Sequence, residues 1–212
     1  MPLNRFLALP DEQKDGILRV AKHQFAEHGY DRMSLNLLLR ELDISKGQFY
    51  YWFEDKADLF LTILGQFFEL NVAELEAQTV PSDKEEFWAY LRSGRVLEEE
   101  LWGSHEFVGI AAMIGEQFPR NHPMYERLKR CAKPVEDHWK HRLKIGQDWG
   151  LVRNDLSVDT LYEVIDSVGD VLYGIIISRV VDAETNAEGT ALHAMLWPVF
   201  RLLLQQPSAK AD

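Results

Sequence analysis

The sequence predicts an all-α protein of about nine helices, divided between a small N-terminal three-helix domain and a larger C-terminal helical domain. Apolar residues recur at helical spacing along most of the chain, as in Leu18, Ala21 and Phe25. No segment alternates apolar and polar residues as a half-buried strand would. Glycines and prolines divide the helical stretches, and Gly29 and Gly150 stand where helices should end.

Residues 34–56 have the pattern of two short helices joined by a tight turn. Leucines at positions 35, 38, 39 and 42 share one face of the first helix. Asp43 tolerates the left-handed backbone of a turn, and Ser45 suits the N-cap of the second helix. That helix carries a cation, an amide and phenol hydroxyls within two turns, and so it can contact phosphates and base edges together. We interpret it as a DNA-recognition helix of the helix-turn-helix type.

Residues 17–64 resemble the DNA-binding domain of the TetR family of bacterial transcriptional regulators. The resemblance is carried by Phe25-Ala26-Glu27-His28-Gly29-Tyr30, by Ser34, and by the run I-S-K-G-Q-F-Y-Y-W-F-E-D-K-A-D-L over residues 44–59. The family's common wording over that run is close to V-S-K-G-x-L-Y-x-x-F-x-x-K-x-x-L. We therefore expect a DNA-binding domain over residues 1–58, an effector-binding and dimerisation domain over residues 59–206, and a polar tail over residues 207–212.

The resemblance also implies which residues contact double-stranded DNA. Phosphate contacts would come from Ser34, Tyr50 and Lys56, while Gln48 would face the groove with its polar neighbours. The predicted DNA-binding residues are Ser34, Asn36, Ser45, Lys46, Gly47, Gln48, Tyr50, Tyr51 and Lys56. Two departures from the family pattern are Asp43, in place of a turn glycine, and Trp52, in place of a smaller or more polar residue. Trp52 either wedges against DNA or packs against the following helix.

The composition limits the class of protein. Hydrophobic residues make up 46% of the 212, and the most apolar stretch, around residues 171–177, is interrupted by Gly174, so we expect no membrane span. The N-terminus lacks a charged-then-apolar export signal. Cys131 is the only cysteine, which excludes an intrachain disulfide and a multi-cysteine metal site. We expect a cytoplasmic protein that needs no cofactor.

The net charge of −11 is unusual for a protein that binds DNA, but it is unevenly distributed. Residues 1–58 hold eight Lys/Arg against ten Asp/Glu, a net of −2, and the remaining −9 lies in the C-terminal part. A domain with so few cations neutralises few phosphates, so nonspecific DNA affinity should be weak. Specific binding should instead depend on hydrogen bonds and on paired half-sites.

The rest of the chain predicts further helices with recognisable ends. One should start at Pro10-Asp11, and Asp55 should cap a long connecting helix that is over by Pro81. Residues 82–85 have the capping-box pattern, so the next helix should begin there. A helix over about 105–118 and a long helix from residue 123, kinked by Pro134, should precede two apolar helices at roughly 158–181 and 187–205.

The two C-terminal helices carry more apolar surface than one subunit readily covers, which favours a homodimer. In the resembled family the corresponding helices form a four-helix bundle with those of the partner. The predicted interface residues are Leu161, Ile165, Val168, Leu172, Leu192, Leu196, Val199 and Phe200. The same residues also suit an ordinary intrachain core.

The resemblance further implies a cavity for a small-molecule effector, lined by aromatic and soft apolar residues. The predicted pocket residues are Trp88, Trp102, Phe107, Met113, Glu116, Tyr125, His138, Trp139 and Tyr173. We expect a mostly apolar or aromatic ligand that releases a repressor from a palindromic operator, although ligand-induced DNA binding is equally compatible. For any single residue of this set, packed core or wet surface is the simpler explanation.

Two other classes of function fit parts of the sequence. Asp137, His138 and His141 share a helix and suggest a metal site, but a solvated charged surface explains them more simply. Because no glycine-rich phosphate loop or nucleophile motif occurs, we expect no catalytic residues and no metal ligands. A helical adaptor that binds protein rather than DNA is the alternative, and it predicts no salt-dependent DNA binding.

Overall fold

The computed structural model describes residues 2–93, 110, 114, 117–181 and 196–207, and within these residues the regular secondary structure is helical. The helices are α1 (Asn4–Leu7), α2 (Asp11–Arg32), α3 (Leu35–Glu41), α4 (Lys46–Trp52), α5 (Lys56–Ala77), α6 (Phe87–Ser93), α7 (Pro123–Asp148), α8 (Val158–Val181) and α9 (Leu196–Leu204). The predicted all-α fold is therefore confirmed. In this part of the chain, no helix is both long enough and apolar enough to cross a bilayer.

The chain divides into two compact units. Unit 1 comprises Met1–Glu69 and His105–Ala132, and unit 2 comprises Leu70–Ser104 and Lys133–Asp212. These limits differ from the domain boundary expected after residue 58, because α5 and α7 each begin in unit 1 and end in unit 2.

Unit 1 is built around a continuous cluster of buried apolar side chains. Leu18, Ala21 and Phe25 of α2 all face inward, as their spacing predicts. The ring of Phe25 packs edge-on against Phe60 of α5, with 4.9 Å between centroids, and Phe60 in turn contacts Phe118 at 5.9 Å. Because each large apolar side chain contributes about 1.5–3 kcal/mol when buried, this cluster fixes the scaffold that carries α3 and α4.

Local side-chain caps explain where the helices of unit 1 begin. The amide of Asp58 donates to the Asp55 carboxylate at 2.6 Å, and the amide of Glu54 donates to the Asp58 carboxylate at 3.2 Å. This reciprocal pair satisfies the Asp58 amide in the first turn of α5 and the Glu54 amide just before the helix, and it confirms Asp55 as the cap. The predicted end of α2 at Gly29 marks a break rather than the last residue. Gly29 has φ +74°, and helical hydrogen bonding resumes as far as Arg32.

The short helix α1 is absent from the sequence prediction, and it decides the position of Trp52. Phe6 of α1 is buried against Phe53, with 4.6 Å between ring centroids, and it meets Trp52 edge-on at 6.4 Å. Trp52 is itself 3% exposed. The interpretation of Trp52 as a wedge against DNA is therefore wrong, because its indole is covered from the N-terminal side.

Unit 2 has its own core, formed by α6, α7, α8, α9 and the segment after α7. Its buried apolar residues are Phe87, Leu91, Leu143, Val152, Leu161 and Leu204. Gly146 lies flush against this core. A Cβ at position 146 would stand 2.3 Å from Phe87 Cζ and 2.4 Å from Val152 Cγ2. At this position a glycine is therefore required by close packing.

Arg142 is the most deeply buried cation described in unit 2, with 1% of its surface exposed. Its guanidinium donates to the Tyr90 carbonyl at 2.9 Å and to the Leu75 carbonyl at 3.0 Å. Both carbonyls belong to the last turns of helices, α6 and α5, where the helix dipole places negative charge. Burial lowers the pKa of Arg142, but a guanidinium keeps its charge, so it acts as a shared C-terminal cap for two helices.

Some predicted boundaries in unit 2 hold and others need correction. The helix expected at 158–181 is confirmed as α8, and Gly150, with φ +72°, follows the end of α7 as predicted. The capping box at residues 82–85 is wrong: α6 begins at Phe87, because the Asp83 carboxylate takes the amides of Glu85 and Glu86 in a turn. α7 is one helix through Pro134. Most of the helix expected at 105–118 lies outside the described residues, and so do residues 187–195 of the helix expected at 187–205. The rest of that second helix is confirmed as α9.

Candidate DNA-binding site

The turn between α3 and α4 has the geometry that its residues predict. The Ser34 hydroxyl accepts a hydrogen bond from the Leu37 amide at 3.4 Å, and the Ser45 hydroxyl accepts one from the Gln48 amide at 3.1 Å. Asp43 has φ +52°, in the left-handed region. Each serine hydroxyl accepts through a lone pair and keeps its own proton, so both remain able to donate to a phosphate.

The helix α4 has one buried face and one exposed face. Phe49 and Trp52 are buried, at 1% and 3% exposure, and they anchor the helix on unit 1. Since successive helical residues are about 100° apart, Gly47 and Tyr51 lie opposite this buried stripe, with Tyr50 beside them. Tyr50 is 46% exposed and Tyr51 is 52% exposed, which is high for a residue type of intermediate burial.

The predicted DNA-binding residues are exposed at the start of α3 and along α4, with one exception. The exposed set comprises Ser34, Asn36, Ser45, Lys46, Gly47, Gln48, Tyr50 and Tyr51. A Cβ at Gly47 would meet no described atom closer than the Ser45 hydroxyl oxygen, at 3.8 Å. Packing within the protein therefore does not require glycine there, whereas close approach to another molecule would explain it.

Lys56 is the exception, because its ammonium is already engaged inside unit 1. It donates to the Tyr30 carbonyl at 2.6 Å and to the Asp31 carbonyl at 3.4 Å, at the end of α2. It also lies 4.5 Å from the centroid of the Tyr30 ring. Partial burial lowers the pKa of Lys56 and is only in part opposed by the nearby Asp31 carboxylate. Here Lys56 ties α2 to the first turn of α5, and its predicted phosphate contact stays a prediction.

The sequence prediction missed one cation of this surface, Arg5. The Arg5 guanidinium carbon of α1 lies 4.4 Å from the centroid of the Tyr51 ring, within the range of a cation–π contact. A four-residue helix is too short to show apolar periodicity. The sequence feature that could have indicated this helix is Phe6, a lone aromatic residue next to Arg5 and ahead of Pro10. The structure shows that Phe6 is buried.

The predicted effector-pocket residues are only partly within the described structure. Trp88, His138 and Trp139 are half-buried residues of unit 2, while Tyr125 belongs to unit 1. The predicted residues Trp102, Phe107, Met113 and Glu116, and the side chain of Tyr173, lie outside the described residues. A cleft of 640 Å³ in unit 2 is lined by other residues, among them Gln78, Tyr90 and Ser93. These pocket residues stay predictions.

The metal site considered on α7 is not assembled in the part of the chain that the structure describes. There, no three His, Cys, Asp or Glu side chains converge as metal ligands. His138 Nε2 lies 3.5 Å from a carboxylate oxygen of Glu76, and the Asp137 carboxylate accepts from Lys133 at 2.6 Å. These are ordinary contacts of a polar helix surface.

The predicted dimer-interface residues fall into two groups. Leu161, Leu196 and Phe200 are at most 4% exposed within one chain, so they have almost no surface left for a partner and belong to the subunit's own core. Ile165, Val168 and Leu172 are half-buried, and Val199 is exposed; Leu192 lies outside the described residues. The apolar residues that α8 and α9 expose most include Val171 and Leu202, which the prediction omitted.

Comparison with known proteins agrees with this architecture. Residues 17–63 match the family described as "Bacterial regulatory proteins, tetR family". The transcriptional repressor BepR of Brucella suis is 24% identical over 167 residues, 77% of this chain and 79% of BepR. The uncharacterized regulator YuxN of Bacillus subtilis is 27% identical over 124 residues, 58% of this chain. That match spans only 40% of the length of YuxN.

Solved structures share the fold over nearly the whole chain. A TetR family transcriptional regulator from Chloroflexus aurantiacus matches with a TM-score of 0.55 and 26% identity, over 96% of this chain and 93% of that one. FadR of Bacillus subtilis, solved in complex with stearoyl-CoA, matches with a TM-score of 0.67 over 90% of this chain and 97% of FadR. Its 17% identity makes that likeness one of fold alone.

The fold, the exposed α4 surface and these relatives define a class of protein: a DNA-binding transcriptional regulator of the helix-turn-helix type. The relatives are described as transcriptional regulators rather than as enzymes. Within that class, residues 17–63 match the TetR family, and the chain shares its fold with solved TetR-family regulators.

Proposed function

We propose that the protein is a repressor that binds a palindromic operator as a homodimer through α4 and is released by a small, mostly apolar effector. The observation that carries the proposal is the two-faced helix α4. Its buried side chains are apolar, and its exposed side presents Lys46, Gln48 and two tyrosine hydroxyls around Gly47. Donors of this kind suit phosphates and base edges. A function as an adaptor that binds only protein would not explain this set of exposed hydrogen-bond donors.

Dimerisation is supported by the apolar side chains that α8 and α9 leave uncovered. Val164, Val171, Val199 and Leu202 are 38–68% exposed in the single chain. Covering such side chains removes apolar area from water, which is worth about 25 cal/mol for each Å². A two-fold dimer also explains how a DNA-binding unit with few cations binds tightly, since two half-sites on a palindrome act together.

An apolar effector is supported by the aromatic content of unit 2. Trp88 packs edge-on against Trp197 with 6.3 Å between ring centroids, and Trp139 lies half-buried beside the same core. The fold relative FadR binds stearoyl-CoA, a ligand with a long acyl chain. A ligand that favours one spacing of the two DNA-binding units over another would shift the population away from the operator-binding form.

The DNA-binding part of the proposal is tested by fluorescence anisotropy with duplex DNA from upstream of the protein's own gene and with duplexes from a random-sequence selection. We expect tight, salt-sensitive binding to a palindrome and weak binding to scrambled duplex. Tyr50→Phe should weaken binding to all sequences, because it removes a phosphate donor. Gln48→Ala should relax discrimination at one or two base pairs by about 1–3 kcal/mol if its contact is bidentate.

Gly47→Ala separates DNA binding from folding. Because the added methyl group makes only an ordinary contact with the Ser45 hydroxyl oxygen, at 3.8 Å, and alanine favours helix, thermal stability should stay the same or rise. Operator affinity should nevertheless fall, since the methyl group stands on the face opposite Phe49 and Trp52. If all three variants bind DNA like the parent, the recognition surface lies elsewhere; if the parent selects no sequence, the adaptor is the better explanation.

The dimer and the effector each have a direct test. Val171→Asp, on the exposed side of α8, should shift the sedimentation coefficient from dimer to monomer, because it places a charge in the apolar interface. Val80→Asp is the control, since Val80 is also an exposed valine, at 43%, but lies outside α8 and α9. For the effector, acyl and aromatic compounds should quench tryptophan fluorescence and lower operator affinity. A response to ions or polar metabolites alone would contradict the proposed ligand class.

A further inference from the structure

The helix α1 places a cation beside the recognition helix. The Arg5 guanidinium carbon lies 4.4 Å from the ring centroid of Tyr51, which is 52% exposed. Tyr51 is on the side of α4 opposite Phe49 and Trp52, the two residues that anchor this helix. Arg5 therefore borders the surface that α4 presents to DNA in the proposed function, on which this inference rests.

The position of Arg5 is fixed by contacts on both sides of it in the chain. The Leu3 amide donates to the Trp52 carbonyl at 2.9 Å, which ties the N-terminal segment to the end of α4. Phe6 is 1% exposed and fills the space between Trp52 and Phe53. With residues 3 and 6 held, Arg5 is confined to the neighbourhood of Tyr51, and little conformational entropy remains to be lost when it binds a ligand.

The guanidinium keeps its hydrogen-bond donors free for an anion. Contact with a ring engages the flat face of the group, whereas its five N–H donors lie at the edge of the plane. Among the described residues, Arg5 has no carboxylate within ion-pair distance and no interaction besides the one with Tyr51. The Lys56 ammonium, in contrast, already donates hydrogen bonds to two carbonyls of α2. The cations on the α4 surface are thus Lys46 and Arg5.

We propose that Arg5 is a DNA-contacting residue that donates to a backbone phosphate of the operator, with Tyr51 as the surface that orients it. A planar guanidinium recognises phosphate well, and a phosphate contact carries no sequence information. Each such contact releases condensed counterions, which adds about 0.9 to the salt exponent of the binding constant. With one Arg5 in each subunit, a bound dimer gains about 1.8 in that exponent.

The test measures operator binding of the full-length parent, Arg5→Gln, Arg5→Lys and Lys144→Gln by anisotropy from 50 to 300 mM salt. Arg5→Gln should lower the magnitude of the salt exponent by about 1.8 and weaken binding about sixty-fold at 0.1 M salt. The loss should be similar on operator and on scrambled duplex. Arg5→Lys keeps the charge and should retain most of the exponent. Lys144→Gln removes the same charge from an exposed position in unit 2 and should change neither quantity.

The inference and the proposed function fail in different ways. If the parent binds DNA but Arg5→Gln has the parent's salt exponent, Arg5 touches no phosphate and only this inference is overturned. A weaker affinity with an unchanged exponent also overturns it, since Arg5 would then act only through its packing on Tyr51. If the parent selects no DNA sequence at all, the proposed function itself fails. Far-ultraviolet circular dichroism confirms that each variant is folded before these readings are compared.

Discussion

Replacing Gly146 with alanine should destabilise the protein, although alanine is the better helix former. In an exposed helix interior the exchange of glycine for alanine is worth about 0.8–1.0 kcal/mol in favour of alanine. At position 146 the new methyl carbon would lie 2.3 Å from Phe87 Cζ and 2.4 Å from Val152 Cγ2. Carbon atoms in contact are about 3.5–4.0 Å apart, so both neighbours would have to move by more than 1 Å.

Neither neighbour can move freely. Phe87 and Val152 are both fully buried in the core of unit 2, where displacement strains further contacts. Overpacking of this kind costs about 1–3 kcal/mol, and two simultaneous overlaps place Gly146→Ala at the upper end. After subtraction of the helix preference, the net loss should be about 2 kcal/mol. For a chain of this size, that corresponds to a fall in Tm of about 4–8 °C.

Urea unfolding at a fixed protein concentration, followed by tryptophan fluorescence, measures the effect. Four of the described tryptophans belong to unit 2: Trp88, Trp139, Trp149 and Trp197. Gly16→Ala in α2 is the control, since a Cβ there meets nothing within 4 Å, and it should raise stability by up to about 1 kcal/mol. Adding Phe87→Leu to Gly146→Ala removes the ring atoms that clash and should recover part of the loss. Equal or greater stability of Gly146→Ala would refute the packing argument.

Other consequences of the structure can be measured in the same way. Arg142→Met should lower the free energy of unfolding, measured by urea titration, by about 2–4 kcal/mol, because two charge-assisted hydrogen bonds, to the Leu75 and Tyr90 carbonyls, are lost. An unchanged urea midpoint would contradict this. Asp43→Gly should be about 1 kcal/mol more stable than Asp43→Ala in thermal melts, since φ is +52°. Burial raises the pKa of the Cys131 thiol, so iodoacetamide should label the native protein more slowly at pH 8 than the urea-unfolded protein, as measured by mass spectrometry.

The sequence was a good guide wherever a short stretch of chain determines its own structure. The Ser45 cap, the left-handed Asp43 and the inward stripe of α2 depend on neighbours a few residues away, and all are confirmed. The exposed face of α4 follows from the same local pattern, since burial of Phe49 fixes which side chains face outward.

The features that the sequence missed depend on residues that are distant in the chain or on a competition between neighbours. Trp52 is buried because Phe6 covers it, and the residues near position 52 do not predict that contact. The start of α6 shifted because Asp83, rather than Ser82, captures the free amides.

Apolar periodicity likewise shows that a helix face is covered but not which molecule covers it. Leu161 and Phe200 therefore looked like candidates for a partner surface, although they are buried within the subunit. The neighbouring Val171 and Leu202 remain exposed in the single chain.

The acceptors chosen by Arg142 have a consequence for the response of the protein to acid. A buried arginine held by a carboxylate loses its partner when that carboxylate is protonated, and the fold then weakens as the pH falls. The Leu75 and Tyr90 carbonyls cannot take up a proton in the ordinary pH range, and the guanidinium cannot release one. The link between α5, α6 and α7 therefore stays intact in mild acid, where the many surface carboxylates of this acidic chain are losing their charge.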